Sequence, residues 1–281
     1  MSLDARALSA DDEAALRSYW RRKPHAHIFA EADLDELGWK SPERLNFWGW
    51  FADGRLVGYL MRYGISMSWD YEDERLIPRI AAQIDAWQPA IQFVSGMTAE
   101  TRPVLAALCR LRVIRTEESF VNQLNIDRFT AYQRQSPIQH CREATWDDID
   151  APTEIHMAAD DQWSRLNRDE RRRALRNALR NPGRRVVLAT NRAGIPVATA
   201  QSIADGRRIA VIGSVATSPA WRNQGYGREV TAFLCRRLVD WGQIPHLFYR
   251  QDNLPAATIY AKLGFEIVDE GLIVELADDS Q

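Results

Sequence analysis

The chain has 281 residues, of which 46% are hydrophobic and 26% charged, the balance of an ordinary globular protein long enough for two domains. Its formal net charge of -2 gives no general case for nucleic-acid binding, and no apolar run approaches the roughly 20 residues that would cross a bilayer. The three cysteines are odd in number and far apart, which argues against a disulfide framework and against a cysteine-based metal site.

The N-terminal segment has a polar start. Met1 to Arg6 contain no apolar signal core, so we expect a cytoplasmic protein without a membrane partner. The five histidines show no metal-ligand spacing, so no metal is expected either.

The first half of the sequence predicts helices followed by a sheet. Residues 1–45 have a mostly helical pattern, and hydrophobic runs on both sides of Asp53-Gly54 predict a β-hairpin. Further elements are predicted from the hydrophobic periodicity: a strand over 65–69, a helix over 72–87, a strand over 90–94, a helix over 98–111 and a strand over 120–126.

The second half repeats this order. The pattern predicts a strand over 141–145, helices over 147–159 and 165–180, a hairpin of 185–190 with 196–203, a strand over 208–215, a helix over 228–241, a strand over 245–250, a helix that Gly264 ends, and a strand over 266–275. The shared element order predicts two copies of one α/β unit.

A glycine-containing loop joins the strand over 208–215 to the helix over 228–241. The start of a helix leaves backbone N–H groups unpaired and carries a partial positive charge, which suits a phosphate. Gly225 and Gly227 lack the Cβ atoms that would keep a pyrophosphate away from this backbone. The alternative is an ordinary strand-turn-helix with turn glycines.

Two segments resemble motifs of one family. The first segment reads Val215-Ala216-Thr217-Ser218-Pro219 and, after two more residues, Arg222-Asn223-Gln224-Gly225-Tyr226-Gly227. It resembles motif A of the GCN5-related N-acetyltransferase (GNAT) superfamily. Motif B is similar to the segment from Asp252 to Phe265, in which Tyr260 lies seven positions after Asn253. The resemblance implies an α/β (α+β) fold with two GNAT-like domains, each a mixed, mostly antiparallel central sheet flanked by helices.

The resemblance also implies roles for individual residues. Val215, Ala216 and Thr217 would pair with the pantetheine arm of acetyl-CoA, and Asn253 would contact the same arm. Tyr260 would protonate or hydrogen-bond the departing sulfur; the alternative for Tyr260 is a core aromatic residue. The pyrophosphate would be bound by the loop residues Arg222, Asn223, Gln224, Gly225, Tyr226, Gly227 and Arg228.

The two halves differ where a phosphate would bind. The corresponding joint of the first half, residues 68–74, has no glycine and carries four carboxylates, which would repel a pyrophosphate. We therefore expect a degenerate GNAT-like domain over 1–135 and a GNAT acetyltransferase domain over 136–281, with the boundary in the polar segment 133–140. Residues 27–58 also resemble the N-terminal domain that precedes GNAT domains in some bacterial two-domain acetyltransferases.

The expected activity is acetyl transfer from acetyl-CoA, as co-substrate, to an amine acceptor, either a small molecule or a peptide. The general base is not identified, because Phe248 stands where some family members have a glutamate. The candidates elsewhere in the chain are Glu154, His156 and Ser214. Two alternatives remain open. One is a CoA-binding regulatory module without chemistry, and the other is an aminoacyl-tRNA-dependent transferase.

An arginine-rich segment bears on the second alternative. Nine arginines lie between residues 165 and 185, and they are either the solvated face of a helix or a surface that attracts an acidic acceptor or RNA. The net charge and the intact glycine loop argue against a nucleic-acid partner.

Overall fold

The turn at Asp53-Gly54 shows how local sequence shapes the first sheet. Both residues have positive φ, 49° and 78°, as a two-residue hairpin turn requires, and they join β2 (Leu45–Ala52) to β3 (Arg55–Tyr63). The predicted hairpin is therefore present. The computed structural model describes residues 3–40, 43–87, 91–159 and 166–278 of the chain.

The chain divides into two compact units. The first contains residues up to Val121 together with those from Asp269 onward, and the second contains Asn122–Val268. This division differs from the boundary predicted near residue 135 in two places: residues 122–135 go with the second unit, and the segment from Asp269 goes with the first.

The first unit is a sheet with helices on both faces. The strand order is β1-β2-β3-β4-β5-β12-β6; the pairs β1-β2, β2-β3, β3-β4 and β5-β12 are antiparallel, and the pair β4-β5 is parallel. Its other elements are β1 (Leu3–Ala7), α1 (Glu13–Trp20), α2 (Pro24–Leu37), β4 (Ser66–Tyr71), α3 (Ile77–Ala86), β5 (Phe93–Met97), α4 (Thr98–Ala106), most of β6 (Leu111–Leu124) and the later part of β12 (Phe265–Asp278).

Strand β12 completes the first unit. Its residues Gly271 to Glu275 pair antiparallel with β5, and Leu272, Val274 and Leu276 are buried in the core formed with α3. Strand β1 was not predicted by the helical pattern of residues 1–45. Because β1 lies at an edge and is mostly exposed, its side chains follow no alternation of apolar and polar types.

The second unit has the same layered build. Strands β7 to β11 lie side by side in the order β7-β8-β9-β10-β11, antiparallel except for the parallel pair β10 and β11. Its elements are α5 (Ile126–Gln135), β7 (Cys141–Glu143), α6 (Asp150–Ala159), α7 (Arg168–Arg180), β8 (Val186–Thr190), β9 (Pro196–Asp205), β10 (Ile209–Thr217), α8 (Tyr226–Asp240), β11 (Ile244–Arg250) and α9 (Leu254–Leu263). The predicted mixed, mostly antiparallel sheet flanked by helices is confirmed.

Different helices cover the two faces of this sheet. On one face Val230 and Leu234 of α8 pack on Ile212. On the other, Ile155 of α6 packs on Ala216. Helix α5 joins the α8 side, where the chain approaches it so closely that a Cβ on Gly264 would lie 2.8 Å from the Cβ of Arg128. Among the described helices, none is long and apolar enough to span a membrane.

Candidate functional site

The two parallel strands at the centre of the second unit separate. Their pairing covers Ile209–Ile212 of β10 and Ile244–Leu247 of β11, and both strands continue beyond it, to Thr217 and to Arg250. A strand that leaves its partner exposes backbone N–H and C=O groups that can pair with a ligand. The separation therefore provides an edge to which an extended molecule can add.

A cleft of about 1110 Å³ lies at this separation. It is larger than the roughly 300–1,000 Å³ typical of pockets for drug-sized ligands, so it suits a long ligand. The end of β10, the loop after it, the start of α8 and one side of α9 line the cleft. Val215, Ala216 and Thr217, the residues predicted to pair with pantetheine, form part of its wall.

The loop after β10 bends through two residues in the left-handed region. Asn223 has φ 62° and Gly225 has φ 91°. Asparagine tolerates this conformation and glycine adopts it freely. The bend brings Gly227 against β10, where an added Cβ would lie 3.0 Å from Oγ1 of Thr217. Gly225 is thus favoured by its backbone conformation, and Gly227 by its close approach to the Thr217 side chain.

Helix α8 begins with open N–H groups. Gly225 is its N-cap and has no side chain to accept from them, and the N–H of Glu229 makes the bond to the Gly225 carbonyl. In contrast, Asn253 caps α9 by accepting from the N–H of Ala256 at 3.1 Å. The first turn of α8 consequently presents unpaired donors, with the positive end of the helix dipole, to the cleft.

Arg222 and Gln224 hold the loop itself. The Arg222 guanidinium donates to the carbonyl of Thr217 at 3.3 Å and to that of Ala159 at 2.8 Å. The Gln224 amide donates to the Ala220 carbonyl at 3.2 Å. These bonds tie the loop to the end of β10 and to α6, which fixes the open turn of α8 in place.

Tyr260 lies where core and cleft meet. Its ring packs against Tyr249 and Phe265, with centroid distances of 5.6 and 5.8 Å, yet it lines the cleft and remains 9% exposed. Burial raises the pKa of Tyr260 above its ordinary value, and the neighbouring Cys235 and Tyr249 add to the effect. The hydroxyl therefore keeps its proton at neutral pH and is a hydrogen-bond donor.

Most of the predicted site residues meet at one place. All of them line the cleft except Gln224. Sequence reasoning assigned no role to the other lining residues, although seven of the ten lie in the motif B segment; periodicity along α9 would have suggested Ala256 and Ile259. These residues are Ala159, Trp221, Arg250, Asp252, Leu254, Pro255, Ala256, Thr258, Ile259 and Lys262.

Comparisons with known proteins converge on this unit. Residues 142–265 match the model of the Acetyltransferase (GNAT) family. The chain contains a GNAT acyltransferase domain.

Solved structures extend the likeness to nearly the whole chain. A GNAT-family acetyltransferase from Colwellia psychrerythraea is 14% identical with a TM-score of 0.61, over 98% of this chain and 100% of that one. A tandem GNAT protein from the clavulanic acid biosynthesis pathway is 15% identical with a TM-score of 0.59, over 99% and 98%. A Drosophila protein is 11% identical with a TM-score of 0.66, over 97% and 98%. At these identities the likeness is one of fold. Among curated proteins, none matches this sequence.

The general-base candidates named from the sequence lie away from the residues that line the cleft of the GNAT domain. Glu154 pairs with Arg168 at 2.6 Å, and Ser214 accepts a hydrogen bond from Gln201. His156 is buried, and its burial, together with Arg171 nearby, lowers its pKa to about 4. None of these three candidates is among the described residues that line the cleft, and neither is Phe248. Within the described part of the chain, no three His, Cys, Asp or Glu side chains gather to hold a metal.

The first unit has a comparable separation of parallel strands. The pairing of β4 with β5 covers residues 66–67 and 93–94, and both strands run on to Tyr71 and Met97. Here the indole of Trp69 is buried and donates to the Glu100 carbonyl at 3.1 Å, from β4 to α4. A side chain of the protein thus spans the place that the cleft occupies in the GNAT domain.

The turn that leads into α3 is closed as well. Asp73 accepts from the N–H of Arg75 at 2.9 Å and forms an ion pair with the guanidinium of the same residue. The pKa of Asp73 is lowered to about 2, chiefly by the Arg75 side chain. In this turn a carboxylate of the chain therefore accepts from the backbone donor. The corresponding donors at the start of α8 are left for a ligand.

Proposed function

We propose that this protein is an acetyl-CoA-dependent N-acetyltransferase, which moves an acetyl group to the amine of an acceptor by direct attack. The observation that carries the proposal is one cleft whose lining includes the free end of β10, the open turn of α8 and Tyr260. In an acyl-CoA the pantetheine arm links the pyrophosphate to the sulfur, and the three features would hold these groups: the turn of α8 the pyrophosphate, β10 the arm and Tyr260 the sulfur.

The proposed binding follows from the hydrogen-bond donors that line the cleft. The pyrophosphate would accept from the N–H groups at the start of α8, with Arg228 beside them, because charge-assisted hydrogen bonds to phosphate are among the stronger ones in proteins. The pantetheine amides would pair with the backbone of β10 from Val215 to Thr217. Asn253 uses its Oδ1 to cap α9, which leaves its side-chain NH₂ group as a donor for the same arm.

The chemistry is one displacement. The nitrogen of a neutral amine attacks the thioester carbon, the C–N bond forms as the C–S bond breaks, and the amine loses one proton while the thiolate gains one. Tyr260 would donate a hydrogen bond to the departing sulfur. Because its pKa is raised above that of an ordinary tyrosine and a thiol ordinarily has a pKa of about 8.5, the hydrogen bond stabilises the thiolate without complete proton transfer.

The test is release of the CoA thiol from acetyl-CoA in the presence of a panel of small amines, polyamines and peptides, with mass spectrometry of each acceptor. We expect at least one acceptor to gain an acetyl group with matching thiol release. Tight CoA binding with no acetylated acceptor would instead favour a regulatory module, and transfer from an aminoacyl-tRNA would favour the other alternative.

We predict one CoA per chain, bound in the second unit. The open turn of α8 offers unpaired donors, whereas Asp73 closes the corresponding turn in the first unit and its carboxylate would repel a phosphate. Calorimetric titration should give a stoichiometry of one. Two equivalent sites would contradict the prediction, and so would binding that survives Gly225→Val unchanged.

A further inference from the structure

A bulge in β10 reverses the side chains of its last residues. On β9 and β10 Gln201 pairs with Gly213 and Thr199 with Ala216, so two residues of β10 lie opposite one residue of β9. In a regular strand Ile212 and Ala216 would share a face. Here Ile212 packs on the α8 side and Ala216 on the α6 side. The extra residue therefore turns the segment from Val215 to Thr217 about its axis, at the point where β10 leaves β11.

The bulge depends on an unfavourable backbone conformation. Ser214 has φ 49°, which lies in the left-handed region. Residues other than glycine, asparagine and aspartate seldom adopt this conformation. Next to it, Gly213 leaves no room for a side chain, because an added Cβ would lie 2.6 Å from Cδ1 of Ile203. An interaction outside β10 is needed to favour this arrangement over a regular strand.

Gln201 supplies that interaction. Its Nε2 donates to Oγ of Ser214 at 2.8 Å. Gln201 lies on the same sheet face as Val186, with which it pairs across β8 and β9, and Val186 packs on Leu175 of α7. The other amide atom, Oε1, is buried and has no hydrogen-bond partner in the described part of the chain. A buried amide that makes one such bond adds little to stability compared with an apolar side chain of similar size, so stability alone does not account for a glutamine here.

We infer that Gln201 is a positioning residue for acyl transfer: through Ser214 it fixes the bulge that aims the backbone of Val215 to Thr217 at the thioester. The inference rests on the proposed function, because it assigns a task to the strand that would hold acetyl-CoA. Most CoA affinity would come from the pyrophosphate turn at α8, which Gln201 does not touch. Loss of the amide should consequently affect the rate of transfer far more than the binding of CoA.

The test is a set of four variants assayed with the best acceptor from the amine panel. Gln201→Leu removes the hydrogen bond, Ser214→Gly removes the penalty for positive φ, and the double variant combines them. Thr199→Val is the matched control on the same strand, since the hydroxyl of Thr199 makes a buried bond at 3.0 Å to the Val187 carbonyl of β8 and not to Ser214. For each protein, kcat, the CoA dissociation constant and the thermal midpoint are measured.

We expect Gln201→Leu to lower kcat about tenfold, as the loss of one interior hydrogen bond permits, with the CoA dissociation constant within about twofold. The double variant should recover kcat to within about twofold of Ser214→Gly, because glycine adopts the bulge without help. Thr199→Val should stay within about twofold of the parent. An unchanged kcat in Gln201→Leu, or no recovery in the double variant, overturns the inference.

The thermal data separate this inference from the proposed function. If the parent acetylates no amine, the proposed function fails. The thermal midpoints of the parent, the two single variants and the double variant still form a double-mutant cycle, which reports on the contact between Gln201 and Ser214. Gln201→Leu should lower the midpoint less in the Ser214→Gly background than in the parent. Equal losses in both backgrounds would show that Gln201 does not hold Ser214, whatever the activity.

Discussion

Gly225→Val should abolish CoA binding, weakening it by about 100-fold or more. A valine side chain at this position would occupy the space in front of the open turn of α8, and its Cβ disfavours the φ of 91° that the turn needs. Hydrogen bonds to a charged group contribute about 1.5–3 kcal/mol each, so the loss of two of them corresponds to at least about 100-fold in affinity. Calorimetric titration with CoA measures the change.

The control for Gly225→Val lies at the other end of the same helix. Gly242 follows α8, has φ 77°, and an added Cβ there would meet nothing within 4 Å. Gly242→Val therefore carries the same kind of backbone penalty away from the cleft, and it should bind CoA as the parent does. If both variants unfold at the same temperature and bind CoA equally well, the loop has no part in binding the cofactor.

Tyr260→Phe should reduce kcat about 100-fold while leaving the dissociation constant of acetyl-CoA nearly unchanged. The substitution keeps the ring that packs against Tyr249 and Phe265 and removes the hydroxyl alone. A hydrogen bond that strengthens only as the C–S bond breaks contributes to the transition state and not to binding. The loss of one hydrogen-bond donor aimed at developing negative charge costs on the order of 10²–10³-fold in kcat, and a good leaving group such as a thiol places the effect at the low end.

Tyr249→Phe is the matched control for this variant. It removes a hydroxyl from the ring next to Tyr260, and Tyr249 is not among the described residues that line the cleft. We expect its kcat to stay within about twofold of the parent. A Tyr260→Phe enzyme that retains its kcat but melts at a lower temperature would mean that Tyr260 is a core residue only.

Local signals in the sequence predict much of this fold. The Asp53-Gly54 turn predicts its hairpin because those residue types favour positive φ, and Gly264 ends α9 with φ 93° as a C-terminal glycine should. Helix α5 was missed, and part of its range was predicted as strand or linker. Its exposed face is polar, and its position depends on contacts of Phe129 with residues more than a hundred positions later, which no local pattern contains.

The site was predictable only where local residue types and their spacing specify it. The glycine loop and Tyr260 have residue types and spacings that a motif can specify. The bulge at Ser214 has none, because serine seldom adopts positive φ and the residue that holds it lies on a neighbouring strand. Sequence reasoning also placed the domain boundary at the polar segment after residue 133, whereas the pairing of β5 with β12 is a long-range choice that composition does not reveal.

The pairing of β5 with β12 has a consequence for how the chain folds during its synthesis. The first unit cannot finish its sheet until residues 271–275 have left the exit tunnel, although its earlier strands are made first. The second unit is continuous from Asn122 to Val268, so all of it is synthesised before the missing strand. Nascent chains would thus carry a first unit with an open β5 edge, which is prone to pair with other chains, throughout the synthesis of the second unit. A gene fragment that stops near residue 135 would leave the same edge open permanently.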